Sequence, residues 1–299
     1  MEIFLKLLDV IIPVFSLIGV GYYIGRKEPK FDTSFITKFA ANFGSPALAF
    51  YAITSTGISL NLFVDYFFYT MLAVSCFAVI GVILLIIQKR DFVSELPPLL
   101  LPNCGNMGLP ICLFAYGKVG MGIASAISAL IIMSHFTIGI FLASKKISFK
   151  VLLKSAPVYG VIIALGFLYF EIQPPKFLEN TALLLAYCTI TLILMSLGIA
   201  LTKLKVISLT NAIVSSFARL VLGPLVGLFL IYFFELKGFA AGVLFIQCSM
   251  PSAILTYLVG SMYSNKTVVN NIASTIVVST IASFFTIPII VFIALKFFN

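Results

Sequence analysis

Charge is what this chain has least of: 10% of its 299 residues are Asp, Glu, Lys or Arg, while 61% are hydrophobic and the mean hydropathy is +1.17. So little polar surface excludes a soluble domain and calls for a polytopic membrane protein. Histidine occurs once, at His135, and no Asp or Glu lies deep in an apolar segment, because Asp9, Asp65, Glu95, Glu171 and Glu235 all fall near segment ends. An intramembrane enzyme therefore lacks its acid, base and nucleophile, and a carboxylate proton relay has no candidate. The five cysteines, Cys76, Cys104, Cys112, Cys188 and Cys248, sit in apolar segments without metal-type spacing, so they are expected to be small buried hydrophobes. No metal and no cofactor is expected. A cleavable signal is not evident either: the first apolar run leads into a basic loop, not a small-residue cleavage site.

What is present is a series of apolar runs. A window of about 20 residues finds ten candidate spans, near 9–26, 33–55, 66–88, 94–117, 120–144, 150–171, 181–202, 209–234, 239–262 and 268–297. Lys and Arg concentrate in alternate connections: Arg26, Lys27, Lys30 and Lys38 in the first; Lys89 and Arg90 in the third; Lys145, Lys146, Lys150 and Lys154 in the fifth; Lys203 and Lys205 in the seventh; Lys266 in the ninth. Those connections are expected in the cytoplasm and both termini outside. The net charge of +9 is explained by these anchors, which suit anionic lipid headgroups and require no nucleic acid.

The chain repeats itself. Residues 123–140, IASAISALIIMSHFTIGI, align without gaps on residues 272–289, IASTIVVSTIASFFTIPI, with about ten identical positions. The fifth span then repeats as the tenth, which predicts a first five-helix half at residues 1–146 and a second at 147–299. Halves with an odd number of spans run in opposite directions, the inverted-repeat plan of many secondary transporters.

Residues 101–117, LPNCGNMGLPICLFAYG, place two prolines, three glycines and two asparagines in a stretch otherwise apolar enough to span a bilayer. Backbone freed by proline is tolerated there only if buried in protein or lining a wet cavity. Laying the fourth span on the ninth sets Pro110 on Pro251, Asn106 on Gln247 and Tyr116 on Tyr257. Matched broken segments in two halves are the best sequence pointer to a transporter's binding site. An interrupted helix offers free N–H groups and a positive dipole end, both suited to an anion. The side-chain amides of Asn103, Asn106 and Gln247 add donors and acceptors.

The LPN, MGLP and AYG elements of this segment resemble the fourth helix of the auxin efflux carrier family. Further elements resemble the family in order and spacing: ITKFAANFGSPALAF at residues 36–50, MSLGIAL at 195–201, RLVLGP at 219–224 and FIQCSMPSAI at 245–254. The long cytoplasmic loop of many plant members is absent, as in a compact prokaryotic-type member. The resemblance implies an all-α fold of ten transmembrane helices in two inverted five-helix repeats, with the fourth and ninth helices broken and crossing. It implies a dimerising scaffold of helices 1, 2, 6 and 7, and an elevator-like transport domain of helices 3–5 and 8–10. It implies an organic-anion substrate, an auxin-like acid or a mono- or dicarboxylate, and it carries crossover positions onto Asn103, Pro110 and Pro251. Cys104, Gly105 and Asn106 follow Asn103 here, a departure that leaves specificity for an aromatic auxin unassigned.

The expected substrate-binding set is Asn103, Cys104, Gly105, Asn106, Pro110, Gln247, Ser249, Pro251 and Ser252, with Arg219 and His135 as secondary candidates. Arg219 lies ten residues into the eighth span, about 15 Å deep at roughly 1.5 Å per residue. Its expected task is to pair with carbonyls at a broken helix's C-terminal end, ahead of attracting an anion directly. His135 could handle a proton, although packing as a neutral hydrogen-bonded ring is the expected role. Three driving forces are open: membrane potential, favoured, at about 2.3 kcal/mol per charge per 100 mV; a proton at His135; or a cation at the crossover, as in a sodium-coupled bile-acid-type symporter. A channel would need a continuous polar pore, whereas polar residues here gather at two breaks.

Overall fold

The computed structural model describes residues 2–93, 95–146 and 155–298. Lys150, Lys154 and the first residues of the sixth expected span lie outside them. The described residues fold as helices throughout. In chain order these are α1 (Glu2–Lys27), α2 (Ser34–Phe39), α3 (Ser45–Thr54), α4 (Leu60–Ile87), α5 (Pro97–Leu100), α6 (Leu109–Ser134), α7 (Ile140–Ser144), α8 (Ala156–Tyr169), α9 (Lys176–Lys203), α10 (Leu209–Phe233), α11 (Gly238–Cys248), α12 (Leu255–Tyr263) and α13 (Lys266–Phe297). Three π-helical turns, Ala40–Gly44, Cys104–Gly108 and His135–Gly139, join α2 to α3, open α6 and join α6 to α7. The one strand-like pairing among these residues is a bridge between Pro102 and Ser252.

Six segments are long and apolar enough to cross a membrane: α1, α4, the continuous stretch Cys104–Ser144, α9, α10 and α13. Among the described residues, the second expected span corresponds to α2 and α3 joined through a π turn, the sixth to α8, and the ninth to α11 and α12. The fourth and fifth share the 41-residue stretch Cys104–Ser144. They are parted inside α6 at Gly117, whose φ of +67° and ψ of −160° no L side chain adopts comfortably.

Local chemistry sets the ends. Ser59 accepts a hydrogen bond from the Leu62 amide at 3.2 Å, and Asn265 accepts from Val268 at 3.0 Å, so α4 and α13 start at side-chain caps. The Ser59 cap starts α4 six residues before the apolar run marks it. Arg26 and Lys27 close α1 and Lys203 closes α9, each cation meeting the negative end of a helix dipole.

The exterior is apolar. Tyr232, Phe285 and Phe177 are 87%, 76% and 75% exposed, a surface that lipid accepts and water does not. Lipid gives helices no hydrophobic reason to associate, so close packing by small residues has to hold them together. Where α1 crosses α9, a Cβ on Gly21 would run into the Met195 carbonyl and one on Gly198 into the Ile18 carbonyl. The two backbones therefore touch directly. Hydroxyl-bearing residues fill the interior of α13, where Ser274, Thr275, Ser279, Thr280 and Ser283 are buried. Among the cysteines, Cys104, Cys112 and Cys248 are buried as expected; Cys76 is only half-buried and Cys188 is exposed, on a face of α9 turned away from the described residues.

Polar ties join several of the basic connections to other parts of the fold. Lys203 donates to the Phe31 carbonyl at 2.7 Å, joining the first and seventh connections. In the third connection Arg90 pairs with Glu95 and donates to Gln88 and to Ser215 at 2.8 Å each, while Asn271 donates to Glu95 at 3.1 Å. Helices α4, α10 and α13 and the approach to α5 thus meet in one buried cluster.

Candidate functional site

Two interruptions of the helical path define the site. On the first arm α5 opens on Pro97 and Pro98 and stops at Leu100, with Leu101 extended at φ −111° and ψ 100°. On the second arm α11 stops at Cys248, and Pro251 follows before α12 begins. The two extended stretches lie antiparallel. Asn103 donates its amide to the Pro251 carbonyl at 2.8 Å, and Ala253 donates to the Leu101 carbonyl at 3.1 Å. Pro102 and Ser252 face each other between those bonds, a position whose N–H is not called on, so proline fits without a lost bond. Each arm thereby satisfies backbone groups of the other, which is what burial away from water demands.

Side chains reinforce the joint. Arg219, fully buried in α10, donates from Nη2 to the Cys248 carbonyl at 2.6 Å, from Nε to the Met250 carbonyl at 3.1 Å and from Nη1 to the Leu99 carbonyl at 3.3 Å. One guanidinium therefore spans the C-terminal ends of both interrupted helices, with the Phe77 ring 4.2 Å from its carbon. That is the carbonyl-pairing task expected of it. Ser252 Oγ donates to the Pro98 carbonyl at 2.6 Å, again across the arms, and the Ser252 amide is met by Ser279 Oγ at 3.3 Å. Ser249 turns back to the Phe245 carbonyl within its own helix.

The remaining expected residues divide. Asn103 is buried at the bridge, and its Nδ2 has no partner among the described residues. Gln247 is fully buried under Gly108: its Nε2 points to Cys112 Sγ at 3.7 Å, its backbone carbonyl receives Cys104 Sγ at 3.5 Å, and its Oε1 is unpartnered among the described residues. Pro110 lies in the first turn of α6, eight residues beyond Pro102, and takes no part in the pairing. The register expected from laying Pro110 on Pro251 is thus displaced: the proline that breaks the first arm is Pro102. His135 stands in the π turn after α6, with Nδ1 2.7 Å from the Ile131 carbonyl, and takes no part in the pairing of the two arms.

Beside the joint is a cavity of about 40 Å³. Gly105 and Asn106 enter it from the first helical turn after the break, where N–H groups lack intrahelical acceptors. Ser125 and Ser128 of α6 and Ser45 of α3 add hydroxyls, while Ile132, Val158 and Ile193 supply apolar wall. Among the described residues no charged side chain lines it. Ser125 is committed to the Gly122 carbonyl at 2.6 Å, whereas Ser128 Oγ is buried and unpartnered among the described residues. Of the expected set, then, Asn106 and Gly105 face the cavity and Gln247 does not. Ser45, Ser125 and Ser128 were not expected; the available signal was two hydroxyls three residues apart, hence on one helical face, in an Ile-rich run.

A family model described as membrane transport protein matches residues 140–291. The chain is also 23% identical over 304 aligned residues to an uncharacterized transporter of Methanocaldococcus jannaschii, covering 94% of this chain and 97% of that protein.

Proposed function

The chain belongs to the membrane transport protein family, the auxin efflux carrier group, and from that premise we propose that it is a secondary carrier moving a small organic anion across a prokaryotic cell membrane. The cargo class is an auxin-like acid or a mono- or dicarboxylate, and the direction is export. The observation that carries this reading is the pairing of Asn103 with Pro251 beside a cavity that receives Asn106. Free amides at the head of α6, the Asn106 side chain and the Ser128 hydroxyl offer neutral donors to a carboxylate, and the apolar wall suits its body.

Ten spans in two inverted five-helix repeats give this joint its origin. Ile123 and Ile272 are 149 residues apart, and so are Pro102 and Pro251. One register therefore relates both the repeated helices and the two breaks, as expected of halves descended from one unit. The cavity walls come from α3, α8 and α9 on one side and from the broken arm with α6 on the other. These correspond to the proposed scaffold of spans 1, 2, 6 and 7 and the proposed moving body of spans 3–5 and 8–10. Sliding the second past the first would expose the cavity alternately to each side, an elevator. Scaffold faces would join two copies as a dimer, and both termini would lie outside.

The test is thermal-shift screening of the purified protein against mono- and dicarboxylates, with sodium and pH varied, followed by the Asn106→Ala and Ser128→Ala variants. A ligand that binds the folded state raises its melting temperature. Each variant should keep its unliganded melt and bind roughly tenfold more weakly. Unchanged affinity in both would remove the cavity as the cargo site, and a shift seen only with sodium would mark a coupled symporter of the bile-acid type.

A further inference from the structure

A second, narrower space lies on the far side of the joint, and the carrier reading leaves it unused. It is a slot with no room for a water molecule, bounded by Pro97 and Leu101 of the first arm, Gly139 at the end of the π turn, Ala143 of α7, Thr256 and Gly260 of α12, and His135. His135 is 2% exposed. Its Nδ1 lies 2.7 Å from the Ile131 carbonyl, and because a carbonyl only accepts, that nitrogen carries the ring's hydrogen. Nε2 is then a bare lone pair. It has no partner among the described residues. A buried acceptor left unpaired costs free energy, and here it sits in a π turn, a backbone form frequent at functional sites.

We infer that His135 is a proton-binding site, taking up a proton at Nε2, and that the slot narrows on protonation so that the new N–H reaches Thr256 Oγ1, which shares the slot but makes no hydrogen bond to the neutral ring. Thr256 is the hydroxyl in the slot, and its own hydrogen is committed to the Ala253 carbonyl at 2.6 Å, which leaves its oxygen free to accept. Among the described residues no other titratable side chain lines the slot. Glu95, two residues before Pro97, is held by Arg90 and Asn271. Protonation would tie the turn after α6 to the half-helix that follows the second break, so a proton on His135 would bias how the two arms sit. On the carrier reading, on which this consequence rests, the proton is the coupled ion.

Because His135 is the chain's single histidine, isotopic labelling of histidine nitrogen reports this site alone. Nitrogen NMR of the unvaried protein, without cargo, should show a neutral ring protonated at Nδ1 at about pH 8 and its conversion to imidazolium on acidification. A ring that stays neutral down to about pH 4.5 while the protein still melts cooperatively, or one that carries its hydrogen on Nε2 at the start, would overturn the inference. Thr256→Val should lower the proton affinity about tenfold; an unchanged midpoint would overturn the handover to Thr256. Failure of the carrier reading would appear separately, as absent carboxylate binding in a protein whose histidine still titrates.

Discussion

Arg219 Nη2 lies 2.6 Å from the Cys248 carbonyl oxygen, closing the C-terminal end of α11 with a charge carried by a different helix. The same side chain reaches Leu99 at the end of α5, so the two arms share one cation. A buried, fully engaged guanidinium is costly to replace.

Arg219→Ala is therefore expected to destabilise the fold by about 3–5 kcal/mol, since it strands carbonyls at both helix ends. Arg219→Lys should recover little, because an ammonium is a point charge and cannot fork between two arms. Thermal melting of the purified variants decides this; a melt within a few degrees of the parent for Arg219→Ala would mean the carbonyls find other partners.

Gly108→Ala places a methyl against the Gln247 side-chain oxygen and within 3.0 Å of Met250 Cγ. Overpacking of this kind typically costs about 1–3 kcal/mol. The accompanying change Gln247→Ala should return most of the loss, a coupling readable in a double-mutant cycle. Additive losses would show that the two side chains do not press on each other.

At Gly117 the backbone occupies a region reserved for glycine, with open space where a Cβ would stand. Gly117→Ala should thus cost about 1–3 kcal/mol through backbone strain alone. A neutral effect on the melting temperature would show that the turn relaxes to another conformation.

Much of this architecture was legible in the residues themselves. Hydropathy marked the long helices, and proline in an apolar run marked the breaks around Pro102 and Pro251, because a missing N–H in a membrane has few remedies. The register of the first break was not legible: Pro110 and Pro102 are equally capable of ending a helix, and Pro110 instead follows the π turn Cys104–Gly108 within the continuous helical stretch Cys104–Ser144. The role of Arg219 was half visible, since depth could be counted along the helix but its three carbonyl partners come from distant segments. Ser45 and Ser128 were invisible as a pair, 83 residues apart in sequence and joined only by packing of α3 against the broken arm.

The three π turns carry one further implication. Each winds one more residue into a turn than an α-helix does, and so swings everything downstream by about 100° around the helix axis. At Cys104–Gly108 that swing decides which residues of α6 meet the cavity; at His135–Gly139 it decides which meet the slot. Loss of a single residue at either place would leave composition and hydropathy almost untouched while turning a different face inward. Among relatives of this chain, divergence in what is carried can therefore arise from one-residue length changes at these turns as readily as from substitution of the side chains that line the space.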